Sequence, residues 1–152
     1  EHVRDARVLD LYAGSGALGI EALSRGAATA TFVDDDRDAV EAVRANLATT
    51  GLADRAQIHP SAVVAFLRAG PPPAPFDLVV ADPPYDESAP AVAAVLATLA
   101  DAGWLTTAAR VVLETPARAD PPSRTAGTGW EIRSERRYGD TLLTTLGSAP
   151  RV

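Results

Sequence analysis

Short apolar runs alternate with helical segments along the first 116 residues, and this alternation restricts the fold more than any other feature of the sequence. Each run is almost continuously hydrophobic, which is typical of strands buried on both faces of a parallel sheet. Strands are predicted at 7–13, 29–35, 55–60, 76–82 and 109–116, and helices at 15–26, 37–51, 61–70 and 89–103. Ser61 is the expected N-cap of the helix at 61–70. The pattern therefore predicts a doubly wound, Rossmann-like α/β sheet.

The last part of the chain departs from this alternation. A polar loop at 116–129 precedes WEIRSERRYGDTLLTTL (130–146), which alternates as two strands around a turn at 138–140. We expect this C-terminal antiparallel hairpin to complete a mostly parallel sheet. With 152 residues, of which 47% are hydrophobic, the chain predicts a single domain over 1–152.

Composition excludes several classes of chemistry. The chain has no Cys, so disulfides, thiolate zinc sites and cysteine nucleophiles are excluded, and no metal site is predicted. No apolar stretch reaches the roughly 18 to 20 residues of a membrane span, and the start lacks a signal-peptide pattern. We expect a soluble, cytoplasmic monomer. The net charge of −6 fits a nucleic-acid-binding protein only if Arg residues are clustered.

Glycines follow the first predicted strand, in LDLYAGSGALG (9–19). Gly14, Gly16 and Gly19 form a G-x-G-x-x-G pattern, in which glycines let the backbone approach a ligand at a helix N-terminus. The alternative is a tight turn with a purely structural role. Asp10 favours a ligand site, because a carboxylate in an apolar strand is costly to bury without a donor.

The second predicted strand ends in FVDDD (32–36). Asp34 is placed where an acidic side chain can accept hydrogen bonds from both hydroxyls of a ribose. The alternative is capping of the next helix by Asp35 or Asp36, and both roles can hold at once. Together with the glycines, this pattern fits a dinucleotide site as well as a nucleoside site.

The fourth predicted strand ends in ADPPYDES (81–88), which favours chemistry on a base amine. An exocyclic amine is a poor nucleophile until acceptors draw its protons and fix its orientation. The Asp82 side chain and the Pro83 carbonyl can supply two acceptors, held by the rigid prolines Pro83 and Pro84. Tyr85 can stack on an extruded base. The alternative is a proline-rich turn in which Tyr85 is a core aromatic.

These strand ends, in this order, resemble the S-adenosylmethionine-dependent methyltransferases of the seven-stranded class. The stretch LDLYAGSGALGIEALSRGA (9–27), followed by DPPY and a late GWL (103–105), is similar to bacterial methyltransferases of the guanine N2 amine in 16S ribosomal RNA. The resemblance implies S-adenosylmethionine as cofactor and ribosomal RNA or the small ribosomal subunit as partner. Implied cofactor-binding residues are Asp10, Tyr12, Ala13, Gly14, Ser15, Gly16, Asp34, Asp35, Ser61, Ala62 and Asp82. Implied catalytic residues are Asp82, Pro83, Pro84 and Tyr85.

Two positions depart from the pattern of these families. Many relatives in the wider class place an acidic residue against the adenine amine, whereas this chain has Ser61 before Ala62, so that contact is expected to be weaker or to come from the Ala62 backbone. The rRNA family also carries a basic segment ahead of the first sheet strand, and we expect that segment to be missing here. Together with that segment, Arg-rich residues 133–137 are expected to form the RNA surface, with Arg133 and Arg137 on one face of their strand and Arg136 on the other. The alternative is a solvated edge strand that its charges protect.

Other functions remain open at the level of sequence. The same acidic-Pro-Pro-aromatic motif serves adenine and cytosine amines, so a DNA N-methyltransferase is the alternative enzyme. A non-catalytic nucleotide-binding module is the alternative outside enzymes, and the intact DPPY motif speaks against it. Methylation of cytosine C5 through a cysteine adduct is excluded.

Overall fold

The structure is a computed structural model that describes residues 3–84, 86–101, 103–118 and 129–149. Its strands are β1 Arg7–Leu11, β2 Thr29–Val33, β3 Ala56–His59, β4 Phe76–Ala81, β5 Leu105–Pro116, β6 Trp130–Tyr138 and β7 Thr141–Ser148. Its helices are α1 Ala17–Ser24, α2 Arg37–Thr50, α3 Val63–Arg68 and α4 Ala89–Leu99. No helix in the described part of the chain is long and apolar enough to span a membrane.

The seven strands form one sheet in the order β3-β2-β1-β4-β5-β7-β6. Strands β1 to β5 are parallel, and β7 runs antiparallel to both β5 and β6. The predicted α/β sheet, mostly parallel with a C-terminal antiparallel hairpin, is confirmed. The strand order reverses between β1 and β4, where open α/β sheets bind their ligands beyond the carboxyl ends of the strands.

Helices cover both faces of the parallel part of the sheet. Along β1, Val8 packs into a cluster that contains Leu23 of α1 and Val43 of α2. The next residue, Leu9, points to the other face and packs into a cluster with Leu96 of α4 and the fully buried Trp104. This burial on both faces explains why the strands read as continuous apolar runs.

Several predicted element boundaries are confirmed and others are wrong. Helix α2 ends at Thr50 and is capped by Gly51, whose φ of 72° is the left-handed conformation that glycine adopts without strain. Strand β5 begins at Leu105 instead of 109, and α4 ends at Leu99 instead of 103. The notion that Ser61 caps α3 is wrong: the N-cap residue is Ala62, and the Ser61 hydroxyl donates to the Ala62 carbonyl at 3.2 Å.

A β-bulge in β6 changes the predicted arrangement of the Arg side chains. The register shifts between Ile132 and Ser134, so Arg133 is an extra residue opposite β7. The Arg133 guanidinium lies over Gly147, on the face that Arg136 shares through its pairing with Leu143. The expectation that Arg133 and Arg137 share a face is therefore wrong, because simple alternation fails at a bulge.

Candidate active site at the carboxyl ends of the strands

The turn after β1 uses its glycines in two different ways. Gly14 has φ 59°, and a Cβ built on it would meet no atom within 4 Å, so space is open beside the backbone. At Gly19 a Cβ would lie 2.4 Å from Cε1 of Phe32, so α1 can pack this closely on the sheet only with glycine there. Tyr12 also has a positive φ, of 58°, which costs a non-glycine residue about 1 to 3 kcal/mol and is typical of functional sites.

The other residues of this turn bond to the surrounding backbone and side chains. The Ala13 amide donates to the Val33 carbonyl at 3.0 Å, and the Gly16 amide donates to the Ala13 carbonyl at 2.8 Å. Ser15 is exposed, and its carbonyl accepts a hydrogen bond from Asn46 of α2 at 2.9 Å. These bonds fix the conformation of the turn between β1 and α1 and attach it to β2 and α2.

Asp10 lies beneath the glycine turn, where it is 2% exposed. Its Oδ2 accepts a hydrogen bond from the Gly19 amide at 3.0 Å. Burial raises the pKa of Asp10 to about 7; the Gly19 bond lowers this pKa, and the charges of Asp82 and Asp34 raise it. Asp10 therefore holds the first turn of α1 and lies close enough to two other acids to sense their charge.

Asp34 joins the end of β2 to the glycine turn. Its Oδ2 accepts from the Gly14 amide and its Oδ1 from the Asp36 amide, both at 2.9 Å. A carboxylate oxygen has two lone pairs, so each oxygen of Asp34 retains one for a ligand hydroxyl. Asp36 caps α2 by accepting from the Asp38 amide at 3.1 Å, which confirms one of the two predicted caps.

A cavity of about 260 Å³ lies in front of this turn. Six of the predicted site and motif residues line it, namely Tyr12, Asp34, Asp35, Ala62, Asp82 and Pro84. Glu87 lines it too and hydrogen-bonds the Tyr12 hydroxyl. Burial, followed by the charge of Glu87 and this bond, raises the pKa of Tyr12 to about 12. A polar, acidic cavity beside an open glycine turn fits a cationic nucleoside with ribose hydroxyls.

Ser61 does not join these residues. It lines a separate cavity of about 450 Å³, with Arg7, Gln57 and His59, against α3. This cavity is larger, but the strand-end acids do not line it, and the Arg7 side chain is bonded to the carbonyls of Pro75 and Ala74. The smaller, acidic cavity is therefore the better candidate for the active site.

A second acidic cavity, of about 340 Å³, lies on the other side of Asp82. Pro83, Glu114, Thr115 and Asp140 line it together with Asp82. Asp82 thus lines both strand-end cavities and lies between them. Tyr85, the remaining predicted catalytic residue, lies outside the described residues.

The carboxyl groups of Glu114 and Asp82 interact across the ends of β4 and β5, where both line the second cavity. Burial raises the pKa of Asp82, and the hydrogen bond with Glu114 lowers it in part. Burial, the charge of Asp82 and this hydrogen bond all raise the pKa of Glu114. The interaction therefore favours ionisation of Asp82 and opposes ionisation of Glu114.

Comparisons with known proteins agree with this geometry. The model of the family described as "Conserved hypothetical protein 95" matches residues 1–147. The chain is 33% identical over 135 residues to the ribosomal RNA small subunit methyltransferase D of Escherichia coli (strain K12), an alignment that covers 89% of this chain and 65% of the relative. A conserved hypothetical protein of Streptococcus pyogenes, solved as a structure, superposes with a TM-score of 0.84 at 32% identity, covering 95% of this chain and 86% of that chain.

The chain belongs to the family that this model describes. The predicted resemblance to bacterial rRNA methyltransferases is thereby confirmed, and S-adenosylmethionine is the cofactor of the family. The ribosomal protein L11 methylase of Lactobacillus delbrueckii subsp. bulgaricus has the same fold, with a TM-score of 0.77 at 20% identity over 94% of this chain and 69% of that chain. This chain spans about two thirds of the length of the Escherichia coli relative.

Two acidic residues of this methyltransferase site were missed by sequence reasoning. Glu114 ends β5 as Asp82 follows β4, and the pairing of Ala81 with Leu113 brings these ends side by side. Glu114 could have been predicted from the sequence, because it follows an apolar run in ARVVLETP as Asp82 follows another. Glu87 gave no such signal, since its bond to Tyr12 depends on the path of the loop after β4.

Proposed function

We propose that this chain transfers a methyl group from S-adenosylmethionine to an exocyclic amine of a base in ribosomal RNA, and that the amine is N2 of a guanine in 16S rRNA. The Escherichia coli relative is named a ribosomal RNA small subunit methyltransferase, which supports RNA over DNA as the substrate. The position of Asp82 between two cavities is the observation that carries the proposal.

Methyl transfer needs the donor and the acceptor to approach in line, so two neighbouring sites must open onto one point. The cavity lined by Tyr12, Asp34 and Ala62 suits the cofactor, and the cavity lined by Pro83 and Glu114 suits the base. When bound, S-adenosylmethionine supplies the methyl group and a sulfur leaving group. Among the described residues, Asp82 is the one that the two cavities share, so its side chain can act on groups bound in either.

Each strand-end residue has a separate task in this proposal. Asp34 accepts the ribose hydroxyls with its remaining lone pairs, and the open space beside Gly14 admits the methionine part. Asp82 and the Pro83 carbonyl accept hydrogen bonds from the two N–H groups of the amine, which directs the nitrogen lone pair toward the methyl carbon. After transfer, the nitrogen loses one proton to Asp82 or to water. Positioning provides most of the rate enhancement.

Methyl incorporation into 16S rRNA, assembled small ribosomal subunits and duplex DNA tests the proposal. We expect transfer to RNA, with N2-methylguanine identified by mass spectrometry of the digested product. Asp82→Ala should abolish most transfer, whereas Asp101→Ala, which removes an exposed acid after α4, should retain it. Methylation of DNA alone would support the alternative enzyme, and cofactor binding without transfer to any substrate would support a non-catalytic module.

A further inference from the structure

Two carboxyl groups meet at the ends of β4 and β5. Leu78, Val80 and Asp82 alternate toward one face of the sheet, and Arg110, Val112 and Glu114 alternate toward the same face on the neighbouring strand. The pairing continues from Val80 opposite Val112 to Ala81 opposite Leu113, so Asp82 and Glu114 follow as the next neighbours. Their hydrogen bond therefore depends on the sheet register and not on a flexible loop.

Two neighbouring carboxylates repel each other when both are ionised, which raises the pKa at which the pair loses its last proton. Half-burial of Glu114 strengthens this effect, because the surrounding protein screens the repulsion less than water does. A retained proton on Glu114 has one consequence for Asp82. It occupies one acceptor position of Asp82 and leaves the carboxylate ionised and oriented.

We propose that Glu114 holds the proton of the Asp82–Glu114 pair and, by donating it in a hydrogen bond, fixes the orientation in which Asp82 meets the target amine. Glu114 is a positioning residue, since it acts on the reaction through Asp82. This inference rests on the proposed function, because it assigns a task within the proposed methyl transfer.

The charged groups around the pair set its protonation. Asp10 on β1 and Asp34 after β2 lie on the side of the first cavity, where Glu87 of the loop after β4 also contributes an acid. Asp140, in the turn between β6 and β7, adds another acid to the second cavity. Arg118 after β5 is the cation among the described residues that line the second cavity. The surrounding acids favour a pair that keeps one proton, and Arg118 opposes them.

Glu114→Gln and Glu114→Ala separate positioning from a merely structural role. Gln cannot ionise but can still donate to Asp82, so kcat for methyl transfer to 16S rRNA should stay within a fewfold of the wild type. Ala removes the donor, and kcat should fall roughly ten- to hundredfold, the range for losing one hydrogen bond to a charged group, while the KM for S-adenosylmethionine changes little. Glu41→Gln on the exposed surface of α2 is the matched control and should behave as the wild type.

The pH dependence gives a readout that structural damage alone would not produce. In the wild type, loss of the shared proton as pH rises through the raised pKa of Glu114 makes both groups negative and pushes them apart, so kcat should decline there. Glu114→Gln should lose this decline, and its Asp82 should ionise at lower pH. A decline that persists unchanged in Glu114→Gln, or a Glu114→Ala variant with full kcat, would overturn the proposal.

Carboxyl ¹³C NMR titration of the chain without RNA keeps this inference distinct from the proposed function. Asp82 should titrate in two steps in the wild type, because the ionisation of Glu114 also shifts its signal, and in one step in Glu114→Gln. A single identical step in both proteins refutes proton sharing even if the enzyme methylates rRNA. Two coupled steps without methylation of any RNA would instead contradict the proposed function.

Discussion

The ionisation of Asp10 should make the stability of this fold depend on pH. Asp10 is 2% exposed and receives one hydrogen bond, from the Gly19 amide, so the charged form is poorly solvated in the folded state. Its pKa is raised from 3.8 to about 7 by this burial. The unfolded chain therefore releases the proton at lower pH than the folded chain does, and stability falls as pH rises between these two values.

The size of this effect follows from the two pKa values. One pH unit of difference corresponds to about 1.4 kcal/mol, so the ionisation of Asp10 costs the fold about 4 kcal/mol above pH 7 relative to acid pH. About 2.5 kcal/mol of this cost appears between pH 5 and pH 8. Asp10→Asn removes the ionisation while its amide oxygen can still accept the Gly19 bond.

Urea unfolding of the wild type and Asp10→Asn from pH 5 to pH 8 measures the effect. We expect the free energy of unfolding of Asp10→Asn, minus that of the wild type, to increase by about 2.5 kcal/mol over this range. Acids remote from Asp10 titrate equally in both proteins and cancel in the difference. A difference that stays constant with pH would refute the argument, because it would show that Asp10 ionises alike in both states.

Three further predictions concern the cofactor, the packing of α1 and the base. Asp34→Ala should weaken S-adenosylmethionine binding by roughly 1.5 to 3 kcal/mol in calorimetry. Asp36→Ala removes only a helix cap and should leave this affinity unchanged. Equal affinity of Asp34→Ala and the wild type would exclude the ribose contact. Gly19→Ala should destabilise the fold by about 1 to 3 kcal/mol in thermal unfolding, because its Cβ would overlap Phe32, and an unchanged Tm would contradict this. Tyr85→Ala should lose a stacking contribution of about 1 to 3 kcal/mol to kcat/KM on rRNA, whereas Tyr85→Phe should lose little; a larger loss in Tyr85→Phe would assign the role to the hydroxyl.

The sequence by itself determined the class of the sheet and most of the acidic side chains near its strand ends. Strands buried on both faces must be apolar throughout, so each polar residue at a strand end stood out against its run. Asp34 and Asp82 were found in this way, and the structure places both in the lining of one cavity. The end of α2 could also be predicted from local sequence, because Gly51 alone supplies the left-handed conformation that caps the helix.

Only the tertiary structure decided which of these side chains meet. Asp82 and Glu114 are neighbours because β4 pairs with β5, and these two strands are separated in sequence by helix α4. The faces of Arg133 and Arg136 depend on a bulge that the alternating sequence does not reveal, because two-residue periodicity assumes an unbroken register. Ser61 and Ala62 are adjacent in sequence, yet they line different cavities. Contacts between distant strands, and the direction of a side chain at a helix entrance, are set by packing that no local pattern encodes.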